Sequence, residues 1–314
     1  MDRLTPAIIL QVLEFLDIPT FLNFRLASRA MKELIAEYET SLTAAIAERI
    51  LPPYITQLTP PKAPHGGIKR LLALQHRHNV LRETANTILA RGIIGDIVFA
   101  ADDAFADELR TYIQRGLALQ WQMADIAETV ETAAAAAREA QPPRRVLGIW
   151  RPRETTLVRR VEDEILAKRL EHIQQKVSAD DVFHYEVMCT TSLATFLNQE
   201  VADHSYISNK NWIGRKDAWM NWYLLRHGPP VLLNIWTWPI PCHQTIREIN
   251  AIFSARKKGI IKTERKAGMD FHKELNDINP TAFKECSNYM QEFVKKDNER
   301  RRRSAGAGAV AADG

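Results

Sequence analysis

The sequence predicts an all-α protein, and three observations carry that reading. Apolar residues recur at three- and four-residue steps along most of the chain, the spacing of one face of a helix. Alternation of period two, the mark of a half-buried strand, is nowhere sustained. Prolines fall between the periodic segments or at their first positions rather than inside them, where a proline would break a helix.

The first segment carries dense patterning from residue 4 to residue 40. Thr5 is placed to cap a helix whose first position is Pro6, where the missing amide costs nothing. Ile8, Ile9, Val12, Leu13 and Leu16 then form one wide apolar stripe. Asp17-Ile18-Pro19 ends that helix and begins a second, in which Phe21, Leu22, Phe24 and Leu26 make more than one side apolar. Ser28 is placed to cap a third, with Met31, Leu34, Ile35 and Tyr38 at helical spacing. Three helices this short enclose too little interior for so much apolar surface. Part of it is expected to pack on another chain or on the rest of this one.

Residues 52–67 hold five prolines and two glycines and read as a linker or surface crossing over 51–67. Helical patterning resumes from Ile68 to Ala140, ending in the strong helix formers of ETAAAAAREA. Within it, Ile93–Ala100 is the one β-like run. Breaks at Gln141–Pro143 and Trp150–Arg153 mark a sub-boundary over 141–153. Leu157, Val161, Ile165, Leu166 and Leu170 stripe a charged helix over 154–178. Ser178 and Asp181 have capping-box spacing for the next helix, which runs toward Ala202. Further helices are expected over about 211–227, stopped by Gly228-Pro229-Pro230, and over about 243–258 and 262–277. Asn279-Pro280 caps and opens the last, to about Lys296. Residues 299–314, rich in arginine, alanine and glycine, read as a disordered tail.

The 314 residues are enough for a sizeable core, and 46% hydrophobic with 25% charged residues is ordinary globular composition. A net charge of +4 does not by itself demand a polyanionic partner. Three cysteines without CxxC spacing, Cys189, Cys242 and Cys286, argue against a disulfide framework and a zinc site, and fit a reducing compartment. The expected location is therefore cytoplasmic, nuclear or both. The longest apolar stretch, Pro230–Pro241, is too short to span a membrane. Metalloprotease, phosphate-loop, nucleophile-elbow and dinucleotide fingerprints are missing, and Asp102-Asp103 and Asp180-Asp181 sit where helix starts favour negative charge. No catalytic residue, cofactor or metal is expected.

Taken together, LTPAIILQVLEFLDIPTFLNFRLASRAMKELI resembles an F-box of the type found in filamentous-fungal proteins. Leu4, Ile8, Ile9, Val12, Leu13, Leu16, Asp17, Pro19, Leu22, Arg25, Leu26, Ser28, Arg29, Leu34 and Ile35 agree with that family's pattern. Thr5, Ala7, Ala27 and Met31 depart from it. The resemblance implies a non-catalytic subunit of a Skp-cullin-F-box ubiquitin ligase. It would bind a Skp-type adaptor directly, reach the cullin indirectly, and present an unidentified protein substrate. By that resemblance residues 1–50 are the F-box, and 68–298 a helical substrate receptor. The adaptor-binding residues would be Leu4, Pro6, Ile8, Ile9, Leu13, Leu16, Leu22, Leu26 and Met31.

Two further features bear on partners. Trp212, Trp219 and Trp222 step along one helix face and read as core. Trp236 and Trp238, in a short proline-bounded segment, are the better candidates for a substrate surface. From Ala251 to Arg303 there are 14 Lys/Arg against 8 Asp/Glu. Interleaved acids make most of these cations a solvated helix face, whereas Arg300, Arg301, Arg302 and Arg303 read as a nuclear import signal. The alternative function is a nuclear helical protein that meets nucleic acid or chromatin through this basic part.

Overall fold

The structure is a computed structural model, and it describes residues 5–58, 66–90, 104–140, 154–202, 224–237 and 258–312. Every regular element among them is an α-helix. The chain divides into two compact units, Met1–Arg82 and Glu83–Gly314. The β-like run 93–100, the break at 141–153 and the expected helix over 243–258 lie outside the described residues.

In the first unit the helices are α1 (Pro6–Glu14), α2 (Ile18–Ala27), α3 (Arg29–Glu37), α4 (Glu39–Ile50), α5 (Pro53–Thr56) and the first part of α6 (Gly67–Ala90). Their boundaries follow local chemistry. Thr5 holds the extended N-cap conformation before Pro6, but its side chain makes no cap bond. Asp17 accepts from the Thr20 amide at 2.7 Å and caps α2. Ser28 accepts from the Met31 amide at 3.2 Å and caps α3. Each side-chain oxygen satisfies an amide that the helix itself leaves without a partner. α4 packs against α1, α3 and α5, and α2 packs against α3.

The segment after α4 contributes to the interior. Leu51, Ile55 and Leu58 are buried, so the first half of the proline-rich stretch expected as a linker is packed. Proline at the start of α5 fixes a turn there without removing a needed amide. The start of α6 is held by α4. Gly67 has φ +81°, and the Glu39 carboxylate accepts from the Ile68 amide at 3.0 Å. A side chain at Gly67 would be strained in this left-handed conformation and would meet that carboxylate. Arg70 then reaches the Thr56 carbonyl at 3.0 Å, tying the same helix to the end of α5.

The second unit holds the end of α6, then α7 (Ala104–Glu139), α8 (Glu154–Lys176), α9 (Ala179–Ala202), α10 (Pro229–Thr237), α11 (Lys258–Ile278) and α12 (Pro280–Ala312). Residues 224–227 are also helical, and Gly228 at φ +71° closes them, its amide bonding to the Leu224 carbonyl at 2.8 Å. α7 packs on α8, α9 and α10; α11 packs on α8 and α12; α12 packs on α9. The α8 stripe works as its spacing predicts: Ile165 is buried with Ala127 and Val130, and Val161 packs against them. Ser178 accepts from the Asp181 amide at 3.1 Å and donates to the Asp181 carboxylate at 2.7 Å, a reciprocal cap for α9.

A buried guanidinium joins four segments of this unit. Arg169 on α8 donates to the carbonyls of Met123 at 3.0 Å and Leu225 at 2.5 Å, and lies 5.8 Å from the centre of the Phe271 ring on α11. Burial pushes it down to about 10, still charged at neutral pH. The last helix begins at Pro280, as expected, but continues past residue 298 to Ala312. Arginine and alanine are strong helix formers, and elongating an existing helix avoids the cost of starting one.

Candidate partner-binding face on the N-terminal helices

The wide stripe of α1 separates into two. Leu13 is fully buried, and Ile9 and Leu16, four residues before and three after it, are half-buried. Ile8, Val12 and Phe15, each one position earlier, are 44%, 49% and 73% exposed. A shift of one residue turns a side chain by about 100° around the axis. One stripe fills the unit and the other faces water.

The same division explains the two-sided apolar pattern of α2. Ile18 and Phe21 are buried, and Leu22 is half-buried, whereas Phe24 is 37% and Leu26 80% exposed. Five large apolar side chains thus stand in solvent on α1, its C-cap residue Phe15 and α2. Isolated exposed leucines are common, but a Phe at 73% and a Leu at 80% on helices this short are not explained by folding. Burying such side chains against a partner is worth roughly 1.5–3 kcal/mol each when complete.

The sequence-predicted contact residues accordingly fall into groups. Ile8 and Leu26 are exposed apolar residues, and Pro6 is exposed beside them in sequence at the start of α1. Ile9, Leu16, Leu22 and Met31 are half-buried. Leu13 is core, with no surface left for a partner, and Leu4 lies outside the described residues. Sequence reasoning left Val12, Phe15 and Phe24 out of the contact set. The steps of four and three from Ile8 to Val12 to Phe15 were the available signal.

The turn between α1 and α2 is held by hydrogen bonds, with a smaller contribution from charge. The Asp17 carboxyl is held below the usual carboxylate range by the Thr20 hydroxyl and amide, and less strongly by the Arg49 guanidinium. Arg49, on α4, donates to the carbonyls of Glu14 at 2.9 Å and Leu16 at 2.6 Å. Its guanidinium also lies 5.9 Å from the centre of the Phe15 ring.

The other expected surfaces are less accessible to description. Trp236 falls in α10 and Arg300–Arg303 fall in α12, but their side chains are outside the described residues; Trp212, Trp219, Trp222 and Trp238 are outside altogether. In the second unit, Cys189 and Cys286 are free thiols that burial pushes up, Cys286 to about 11. Among the described residues, no group of three or more His, Cys, Asp and Glu side chains is placed to hold a metal ion. No helix among the described residues is long and apolar enough to cross a membrane.

Comparison with known proteins adds no further class: no family model matches the chain, and neither a curated protein nor a solved structure shows significant similarity to it. Among the described residues the fold is all-α, and the resemblance of residues 4–40 to an F-box rests on those residues themselves.

Proposed function

We propose that the protein is the substrate-recognition subunit of a Skp-cullin-F-box ubiquitin ligase. Its N-terminal helices dock on a Skp-type adaptor, and its second helical unit holds a protein substrate. The single observation that carries this reading is the outward apolar set Ile8, Val12, Phe15, Phe24 and Leu26, presented by the helices that resemble an F-box. Ile8, Val12 and Phe15 follow the four- and three-residue steps at which an amphipathic helix presents anchors to a partner groove. The protein then works by proximity, raising the effective concentration of substrate beside a ubiquitin-charged enzyme, and needs no catalytic group of its own.

The test is capture of a purified Skp-type adaptor by the full chain, comparing wild type with Phe15→Asp and Leu26→Asp. Loss of capture by both variants, with helical content unchanged, is the expected result. Capture unaffected by either change would remove the reading. Co-purification of a cullin with the complex separates a ligase subunit from a protein that uses the adaptor alone.

The nucleic-acid alternative has less to stand on. Lys266 pairs with Asp270 on α11 at 2.5 Å, and Lys296 lies over the Phe105 ring at 5.4 Å. These cations of the basic part already have partners within the fold.

A further inference from the structure

Arg49 lies beyond residues 4–40, the stretch whose sequence carries the F-box resemblance, 35 residues after Glu14 and 33 after Leu16 in the chain. Yet its side chain makes three contacts with the α1–α2 turn. The last carbonyls of a helix have no intrahelical amide to accept from. Here the guanidinium supplies donors to two carbonyls at that turn, Glu14 at 2.9 Å and Leu16 at 2.6 Å. Its charge also sits where the helix dipole of α1 favours a cation, and it acts on the Asp17 carboxylate that caps α2. The third contact is the Phe15 ring, the most exposed aromatic of the partner-binding face.

From this we infer that Arg49 is a positioning residue for the partner-binding face. It presets the angle between α1 and α2 and holds the Phe15 ring in the orientation a partner meets. This rests on the adaptor-docking reading above and adds its local control. An exposed aromatic anchor that is already ordered loses less rotamer freedom on binding, and the saving appears as affinity. Only arginine has the planar fork that serves two carbonyls at once. Lysine keeps the charge and supplies one compact donor group in its place.

The experiment uses the full chain as wild type, Arg49→Lys and Arg49→Met. Three readouts are taken: affinity for a purified Skp-type adaptor, hydrogen exchange of the amides of residues 15–18, and thermal unfolding. With Arg49→Met, adaptor affinity is expected to fall about tenfold and exchange at residues 15–18 to rise at least tenfold. Arg49→Lys should recover part of both, and the unfolding temperature should stay nearly constant across the set. Wild-type affinity and exchange in Arg49→Met would overturn the inference. So would an equal loss in all three readouts that Arg49→Lys does not relieve, because that marks a residue of general stability. If the wild type itself fails to bind the adaptor, the docking reading falls. The exchange of residues 15–18 then decides by itself whether Arg49 holds the turn.

Discussion

A methyl group placed on Gly116 of α7 would stand 2.4 Å from the carbonyl oxygen of His184 on α9, and 2.6 Å from Cβ of Met188 one turn on. Helices α7 and α9 therefore meet backbone to backbone at this glycine. Gly116→Ala should raise intrinsic helix propensity by about 1 kcal/mol. The clash is with backbone, which cannot swing aside, and overpacking costs about 1–3 kcal/mol or more. The expected outcome is net destabilisation in urea unfolding. A more stable variant would show that α7 and α9 are farther apart than described.

Glu186 on α9 is buried, and its Oε1 has no hydrogen-bond partner among the described residues. Burial pushes its carboxyl up to about 7 from the ordinary 4.5. A raised value means that the folded state holds the proton more tightly than the unfolded chain does. The stability this confers is complete below 4.5 and is lost as pH rises through about 7. Glu186→Gln removes that dependence. The stability of the variant relative to wild type should grow by about 3 kcal/mol between those pH values, read from denaturant midpoints. Parallel curves would show an unperturbed carboxyl. The acid limb should survive in both proteins. Burial holds His184 and His272 down to about 4, so the stability from their neutral rings is present above 6.5 and is lost as pH falls through about 4.

Arg226, in the helical segment 224–227, pairs with both Glu162 on α8 and Glu131 on α7. The Glu162 side chain is only 4% exposed. Arg226→Met takes away the guanidinium while leaving a buried carboxylate behind, which should cost roughly 3–5 kcal/mol. Adding Glu162→Gln should restore a substantial part, since the charge that needed neutralising goes with it. A double variant no more stable than Arg226→Met, measured in a full mutant cycle, would contradict the pairing.

Leu13 and Leu26 should behave in opposite ways. Leu13→Ala removes fully buried core and should destabilise the first unit by about 2–5 kcal/mol. Leu26→Asp changes a side chain that is 80% exposed and should move stability by about 0.5 kcal/mol or less. If the adaptor docks here, Leu26→Asp nonetheless abolishes capture. Thermal unfolding and capture measured on the same samples separate the two effects.

Helix starts were the most legible part of the sequence because a cap is local. Asp17, Ser28, Ser178 and the Asn279-Pro280 pair each announce themselves within three residues, and each stands at the start of a helix. The α8 stripe was equally plain. The site was legible in outline only. Apolar periodicity located α1 but could not say which half of its wide stripe faces water, since that depends on where α4 packs. Periodicity alone therefore could not foresee that Leu13 is buried while Phe15 is exposed. Arg49 was invisible for a related reason: nothing in residues 45–50 refers to carbonyls more than thirty positions upstream. The prolines of 52–67 misled by composition, because Ile55 and Leu58 between them pack inward.

The grip of Glu39 on the Ile68 amide, with Arg70 reaching back to Thr56, bears on how this protein can be taken apart. A fragment ending near residue 50 keeps every residue that resembles an F-box but discards the amide that the Glu39 carboxylate serves. It also loses Ile55, Leu58, Ile68, Leu71 and Leu74 from the interior. The piece to express by itself is the compact unit Met1–Arg82.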